Sequence, residues 1–194
     1  MKPLKYLLLF LIFTINLCKA QLQPVTITFK NGEKLKGIGK KKGYTFKYKT
    51  DENAKPQEFE FSKIKSVEIG ESYEKKTLFK FFQVYDSENF IAVEELVSGN
   101  KAELYTTTAT FNSASMAMGT GMGSQTATYY YIKKPNEERL TEFGAYSPLT
   151  NDLKRKVKTY FSDCKSLIEK LENREFKVRE GLEDIVIFYN KNCE

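Results

Sequence analysis

The sequence predicts an α+β protein in which an antiparallel, strand-rich body, either a sandwich or a partial barrel, precedes about three C-terminal helices. Side-chain polarity alternates with a period of two from Val25 to about Phe143, which is typical of strands with one buried face. After Pro148 the apolar residues recur with helical spacing. The composition agrees, because 41% hydrophobic and 14% aromatic residues are typical of a globular protein and exclude a disordered or fibrous one. We expect a signal peptide at 1–20, an antiparallel β domain at 21–146 and a helical tail at 147–194 packed on it.

The first twenty residues have the pattern of a secretory signal peptide. Two early lysines precede an apolar run, residues 7–15, that is shorter than the ~20 residues a membrane-spanning helix needs. Cys18 and Ala20 then place small residues before a cleavage site at Gln21. We therefore expect an exported protein, periplasmic or secreted, with lipid anchoring through Cys18 or a retained anchor as less favoured alternatives. Cleavage would remove three lysines and no acid, and so lower the net charge from +6 to +3.

The strand-rich body begins with a predicted hairpin. Residues 25–29 alternate apolar and polar side chains, the Asn-Gly pair at 31–32 is a strong turn signal, and residues 35–39 return the chain. Runs rich in Thr and Tyr predict later strands at residues 102–111 and 125–134. About eight to ten short strands joined by short turns favour an antiparallel sheet.

Two cysteines remain after cleavage, Cys164 and Cys193, and each lies on the apolar face of a predicted helix in the tail. In an exported chain such a pair predicts a structural disulfide. The bond would close a loop of about 30 residues and stabilise the fold by about 3–4 kcal/mol in the chain-entropy model. Two free buried thiols and a redox-active pair are the alternatives, although the chain has no Cys-x-x-Cys motif.

The absence of histidine from the sequence excludes several kinds of site. Ser-His-Asp and Cys-His nucleophile systems, His-ligated metals and histidine-based pH switches all need this residue. Adjacent carboxylates occur at Glu94 and Glu95 and at Asp51 and Glu52, but neighbours on a strand point to opposite faces. The sequence has no phosphate-binding loop, Gly-x-Ser-x-Gly element or calcium loop. We therefore expect a non-enzymatic protein without a metal or cofactor, and a carboxylate-dependent hydrolase of envelope polysaccharide is the alternative.

A lysine-rich segment, residues 30–49, holds eight lysines and one acid. Tyr44, Phe46 and Tyr48 alternate with its lysines and are expected to face the core, which argues against stacking on nucleic-acid bases. The segment could contact a lipid surface or an acidic glycan, or it could be a solvated hairpin face that protects a sheet edge. The possible polyanion-contact residues are Lys34, Lys36, Lys40, Lys41, Lys42, Lys47 and Lys49.

A second unusual segment, residues 113–124, is rich in glycine and methionine. Its glycines lack the spacing of a dinucleotide-binding loop. Met116, Met118 and Met122 could bind Cu(I) through their thioethers in an exported protein, or could offer an adaptable surface to a partner or a membrane. A plain hairpin loop between two strands is the simplest interpretation.

Several short motifs are distributed along the chain. They are Phe29-x-x-Gly32-Glu33-x-Leu35-x-Gly37, Leu96-Val97-x-Gly99, Tyr160-Phe161-x-Asp163-Cys164 and Ile185-Val186-x-x-Tyr189-Asn190-x-x-Cys193. In these motifs and in its cleavage junction the chain resembles a family of exported proteins common in Bacteroidota. The resemblance implies a cell-envelope or secreted bacterial protein with paired tail cysteines, and it implies no activity.

These observations together predict an exported, non-enzymatic domain with a binding or structural role at the cell envelope. The expected partner is an envelope protein, a lipid surface or a glycan, and nucleic acid is not expected. A copper-handling role through the methionine-rich segment is the third hypothesis, after the hydrolase.

Overall fold

The computed structural model describes residues 22–70, 76–85, 87–113 and 123–193, and it has the predicted α+β architecture. A ten-stranded, mostly antiparallel sheet comes first and three helices follow. The strands are β1 Gln23–Phe29, β2 Lys34–Lys42, β3 Thr45–Lys49, β4 Gln57–Glu60, β5 Ile64–Ile69, β6 Thr77–Val84, β7 Phe90–Val97, β8 Glu103–Ser113, β9 Gly123–Lys133 and β10 Arg139–Ala145. The helices are α1 Asp152–Tyr160, α2 Lys165–Glu172 and α3 Glu183–Asn192, with short 3-10 turns at Phe61–Lys63 and Val178–Glu180. Within the described ranges, no helix combines the length and the apolar character needed to cross a membrane.

The first five strands form one half of the sheet, in the order β5-β1-β2-β3-β4. The predicted Asn-Gly turn joins β1 to β2, and Gly32 adopts a φ of 91° that glycine accommodates without strain. Close packing requires glycine at Gly39 in β2, where an added Cβ would lie 2.5 Å from the ring of Phe46. Phe46 and Tyr48 are buried as predicted. The prediction for Tyr44 is wrong, because this residue lies in the turn before β3 and is 60% exposed.

The last five strands close into a ring. Strands β6 to β10 pair in sequence order, and β10 then pairs with β6 in parallel, with Arg139 opposite Gln83 and Leu140 opposite Val84. Strand β6 belongs to both halves of the sheet, because its first residues, 77–80, pair with β5. The ring is therefore a closed form of the predicted partial barrel, and the parallel pairing of β10 with β6 closes it.

Three clusters of buried side chains hold these parts together. The first lies between the half formed by β1 to β5 and the adjoining outer face of β6 and β7, and it contains Ile27 and Phe81. The second fills the ring and contains Tyr105 and Leu140. The third lies between the outer face of the ring and the three helices, and Leu104 belongs to it. Tyr105 and Leu104 belong to different clusters because successive strand residues point to opposite faces.

The last helix is attached to the sheet by the side chain of Asn190. Its Oδ1 accepts hydrogen bonds from the backbone N–H groups of Lys101 at 3.0 Å and Ala102 at 2.9 Å, and its Nδ2 donates to the carbonyl of Ala102 at 2.9 Å. Gly99 lies against this amide, and a Cβ added there would be 2.1 Å from Nδ2. Two of the sequence motifs therefore meet at one contact between α3 and the β7–β8 loop.

Candidate functional site

A group of charged side chains lies at one end of the ring interior. Five side chains occupy inward-facing positions at this end, and we call them the ring network: Lys80, Glu95, Glu103, Tyr105 and Lys133. Glu95 pairs with Tyr105 across β7 and β8. Glu103 pairs with Lys133 across β8 and β9. Because paired residues share a face, the strand register alone brings these charges together.

The ring network contains two ion pairs with a tyrosine between them. Lys133 Nζ lies 2.9 Å from Glu103 Oε2, and the Lys133 side chain is only 8% exposed. Tyr105 Oη donates a hydrogen bond to the same carboxylate at 2.8 Å. Lys80 forms the second ion pair, with Glu95, and its Nζ lies 5.7 Å from the centroid of the Tyr105 ring. Each charge in the network has a partner of opposite sign, so the network carries no net charge.

The surroundings of the network change the pKa values of two of its members. Burial alone would raise the pKa of Glu103, but hydrogen bonds from Lys133 and Tyr105 outweigh it and hold this pKa below its ordinary value. Burial, followed by the hydrogen bond to Glu103, raises the pKa of Tyr105 far above its ordinary value. At neutral pH Glu103 is therefore a carboxylate and Tyr105 is a neutral phenol.

A groove of about 630 Å³ opens beside the network, at the point where β5 and β10 separate along one edge of β6. Strand β5 pairs with β6 as far as Lys80, and β10 pairs with it from Gln83 onward. Phe82 and Phe90 line the groove together with members of the network. The volume lies within the range of small-ligand sites, about 300–1,000 Å³. We call this cavity the ring groove.

The ring groove carries an excess of positive charge. Its cationic lining residues are Lys30, Lys65, Lys80, Lys133 and Arg139, and its carboxylates are Glu103 and Glu138. Lys30, Lys65 and Arg139 form no ion pair with any residue that the structure describes, and neither does Glu138. Lys30 Nζ lies 4.7 Å from the centroid of the Phe90 ring. An anion in the groove would therefore meet three cations whose charge is opposed by only one free carboxylate.

The predicted lysine contacts are divided between two faces of the sheet. Six of them share the outer face of β2 and β3, namely Lys34, Lys36, Lys40, Lys42, Lys47 and Lys49. Lys41 lies on the opposite face, where its Nζ is 3.9 Å from the centroid of the Phe79 ring. Partial burial lowers the pKa of Lys41, and the nearby carboxylate of Glu94 opposes this shift. The seven lysines therefore do not form one patch.

Part of the positive charge on the outer face is compensated locally. Lys42 Nζ lies 2.8 Å from a carboxylate oxygen of Glu58, and the hydrogen bond from Lys42 lowers the pKa of Glu58. Lys49 donates a hydrogen bond to the backbone oxygen of Glu52. Lys47 pairs with Glu58 in the strand register. This mixture of charges is typical of a solvated sheet face.

The two tail cysteines form the predicted disulfide. The Sγ atoms of Cys164 and Cys193 are 1.99 Å apart, and the bond joins the residue before α2 to the residue after α3. Both cysteines lie in the core that the helices share with the sheet. A disulfide has no thiolate to bind a metal. In the described part of the chain, no three or more Cys, Asp or Glu side chains are grouped so that they could hold a metal ion.

Met116, Met118 and Met122 lie outside the described residues, as does the predicted signal peptide. The described part of the β8–β9 hairpin ends with the pair Ser113 and Gly123. A copper-binding or partner-binding role of these methionines stays a prediction.

Sequence reasoning missed the ring network. It predicts that the side chains of Glu94 and Glu95 point to opposite faces of their strand, which is correct. It does not show that Glu95 points into a closed ring. One signal was present, because Lys133 continues the alternation of Tyr129 and Tyr131 and so belongs on their face. That signal becomes informative only when the ring closure is known.

No protein-family model, no curated protein and no solved structure matches this chain. The structure has a strand-rich body and a cysteine pair, and both are compatible with the resemblance to exported Bacteroidota proteins. The functional interpretation therefore depends on the residues and the geometry of the molecule itself.

Proposed function

We propose that this chain is an exported, non-enzymatic binding domain of the cell envelope and that its ring groove holds an anionic ligand. The observation that carries the proposal is the charge of the groove. Lys30, Lys65 and Arg139 have no ion-pair partner among the described residues, and they surround a network that is balanced by itself. An anionic group there would gain charge-assisted hydrogen bonds in a site partly shielded from water. Phe82 and Phe90 would contact the apolar part of the ligand.

The first twenty residues and the disulfide support export. The amino-terminal sequence has the lysines, apolar run and small residues of a signal peptide. The bond between Cys164 and Cys193 is compatible with an oxidising compartment such as the periplasm or the medium. The resemblance to exported envelope proteins points in the same direction. Lipidation of Cys18 is the alternative, and it would hold the same domain at a membrane surface.

The acids of the groove support binding better than polysaccharide hydrolysis. A carboxylate-dependent glycosidase needs one carboxyl group that keeps its proton near neutral pH. Glu103, one of the two carboxylates that line the groove, is paired with Lys133, and its pKa is lowered. Glu103 is therefore suited to hold Lys133 in place and not to donate a proton.

Isothermal titration calorimetry with trigalacturonate, an acidic trisaccharide, tests the proposal. We expect wild-type protein to bind it with an affinity that falls as NaCl is raised, and not to bind the neutral trisaccharide maltotriose. The double variant Lys65→Gln/Arg139→Gln should bind about tenfold more weakly or worse, since each charge-assisted hydrogen bond contributes about 1.5–3 kcal/mol. The matched control Lys40→Gln/Lys47→Gln removes the same charge from the outer face and should keep the wild-type affinity.

Three results would contradict the proposal. Equal weakening by the two double variants would show that net charge, and not the groove, controls binding. Binding of maltotriose as tight as that of trigalacturonate would show that the groove does not select an anion. Release of shorter galacturonates during the titration would overturn the non-enzymatic assignment.

A further inference from the structure

A second cavity, of about 300 Å³, lies in the helical tail. Leu153 of α1 and Leu171 of α2 line it together with Phe176 and Val178, which follow α2. These four side chains give one part of the cavity an apolar surface. We call this cavity the tail pocket.

The charged lining of the tail pocket is entirely cationic. It consists of Lys154, Arg174, Lys177 and Arg179. Glu180, outside the lining, partly compensates two of them, at 3.2 Å from Lys177 and 3.6 Å from Arg179. Lys154 and Arg174 form no ion pair within the part of the chain that the structure describes. The planar guanidinium of arginine suits the oxygens of a phosphate or carboxylate.

Arg174 has an unfavourable backbone conformation at this position. Its φ is 62°, and no other non-glycine residue in the described ranges has a positive φ. It lies just after α2, where the backbone N–H of Glu175 bonds to the carbonyl of Lys170 at 2.9 Å, as in a Schellman motif. Glycine is the usual residue at such a helix end, because a side chain is strained there. An arginine kept in this conformation on the wall of a cavity indicates a role for its side chain.

We propose that the tail pocket binds an oxyanion joined to a short apolar group. Arg174 and Lys154 would hold the oxygens of the anion, and Leu171, Phe176 and Val178 would contact the apolar group. A volume of about 300 Å³ lies at the lower end of the range of small-ligand sites, about 300–1,000 Å³. This suits a ligand of the size of hexyl phosphate. The inference concerns a site other than the ring groove and does not depend on the function proposed for that groove.

A nitrogen-15 NMR titration with hexyl phosphate tests the inference, because it identifies the residues that respond. We expect the amide signals of Phe176 and Val178 to shift. Inorganic phosphate and hexanol should bind about tenfold more weakly or worse, because the first has no apolar group and the second has no oxyanion. Vesicles of phosphatidylglycerol distinguish the source of the oxyanion. Vesicle binding would indicate a lipid headgroup, and binding of hexyl phosphate without vesicle binding would indicate a soluble ligand.

The variant Arg174→Gly separates binding from folding. Glycine accommodates the backbone conformation at this position, so we expect a higher unfolding temperature together with about tenfold weaker binding of hexyl phosphate or worse. The control Arg155→Gln changes an arginine of α1 that pairs with Asp152 at 3.0 Å and does not line the tail pocket. It should keep the wild-type affinity.

The inference is overturned if Arg174→Gly binds hexyl phosphate as tightly as the wild-type protein. It is also overturned if hexyl phosphate fails to bind the wild-type protein, or shifts only amides of the ring groove such as that of Arg139. Equal weakening by Arg155→Gln would assign the effect to net charge and would likewise count against the pocket.

Discussion

Replacing Lys133 by methionine removes the least exposed charge of the ring network and keeps most of the side-chain volume. Glu103 would keep the hydrogen bond from Tyr105 but would lose its counter-ion. A carboxylate left without a counter-ion in a partly buried site is destabilising, because its desolvation is no longer offset. We therefore expect Lys133→Met to lower the free energy of unfolding.

The size of the loss follows from the exposure of the pair. Removing one partner of a buried ion pair costs about 3–5 kcal/mol. Glu103 is 19% exposed, so water relieves part of the cost, and we expect about 3 kcal/mol. With a urea m-value of about 2 kcal/mol/M, the midpoint of unfolding should fall by about 1.5 M. The matched control is Lys42→Met, which breaks an ion pair of 2.8 Å whose lysine is 60% exposed, and its midpoint of unfolding should stay close to that of the wild-type protein.

The loss should also depend on pH. In the wild-type protein the folded-state pKa of Glu103 is lowered, so its ion pair stabilises the fold above the unfolded pKa of ~4.3 and loses that contribution as the pH falls through the folded pKa. Lys133→Met lacks this contribution at every pH, so the stabilities of the two proteins should converge as the pH falls through the lowered folded pKa of Glu103. Urea titrations at about pH 7 and about pH 3 measure both effects. A loss at neutral pH no larger than that of Lys42→Met, or a loss that does not change with pH, would refute the reasoning.

Three other predictions test separate parts of the fold. Replacing Cys164 and Cys193 by serine should cost about 3–4 kcal/mol in urea titrations, because the disulfide spans 29 residues, and an unchanged midpoint would count against a stabilising bond. Gly99→Ala should cost about 2 kcal/mol or more, because the added methyl displaces the amide of Asn190, and Asn190→Ala should then add little in the double variant. Burial and a hydrogen bond to a carboxylate raise the pKa of Tyr189 to about 12. The contribution of Tyr189 to stability should therefore be complete below the unfolded pKa of ~10 and be lost as the pH rises from there through the folded pKa of about 12. Tyr189→Phe should reduce this alkaline loss in urea titrations.

The parts of the fold that the sequence predicted depend on residues close to one another or on simple periodicity. Alternating polarity and the Asn-Gly pair predicted the first hairpin, which the structure forms with Gly32 at a φ of 91°. The change from a period of two to helical spacing predicted the order of strands and helices. Cys164 and Cys193 could be paired because each lay on the apolar face of a predicted helix.

The candidate sites could not be predicted because they depend on contacts between distant residues. Lys80 alternates with Phe79 and Phe81, a pattern that is typical of a solvent-facing lysine. It faces the ring interior only because β10 returns to pair with β6, and no local pattern shows that contact. The tail pocket was missed for a similar reason, since a left-handed residue such as Arg174 is not expected where the sequence has no glycine.

A native mass spectrum of the protein, purified without reductant from the envelope of cells that express it naturally, tests ligand binding in the ring groove most directly. We expect the mass of a disulfide-bonded chain that begins at Gln21 and carries an anionic adduct. The Lys65→Gln/Arg139→Gln variant should lack the adduct, and the Lys40→Gln/Lys47→Gln variant should retain it. An adduct that persists in the groove variant, or a wild-type spectrum without any adduct, would contradict the proposed function.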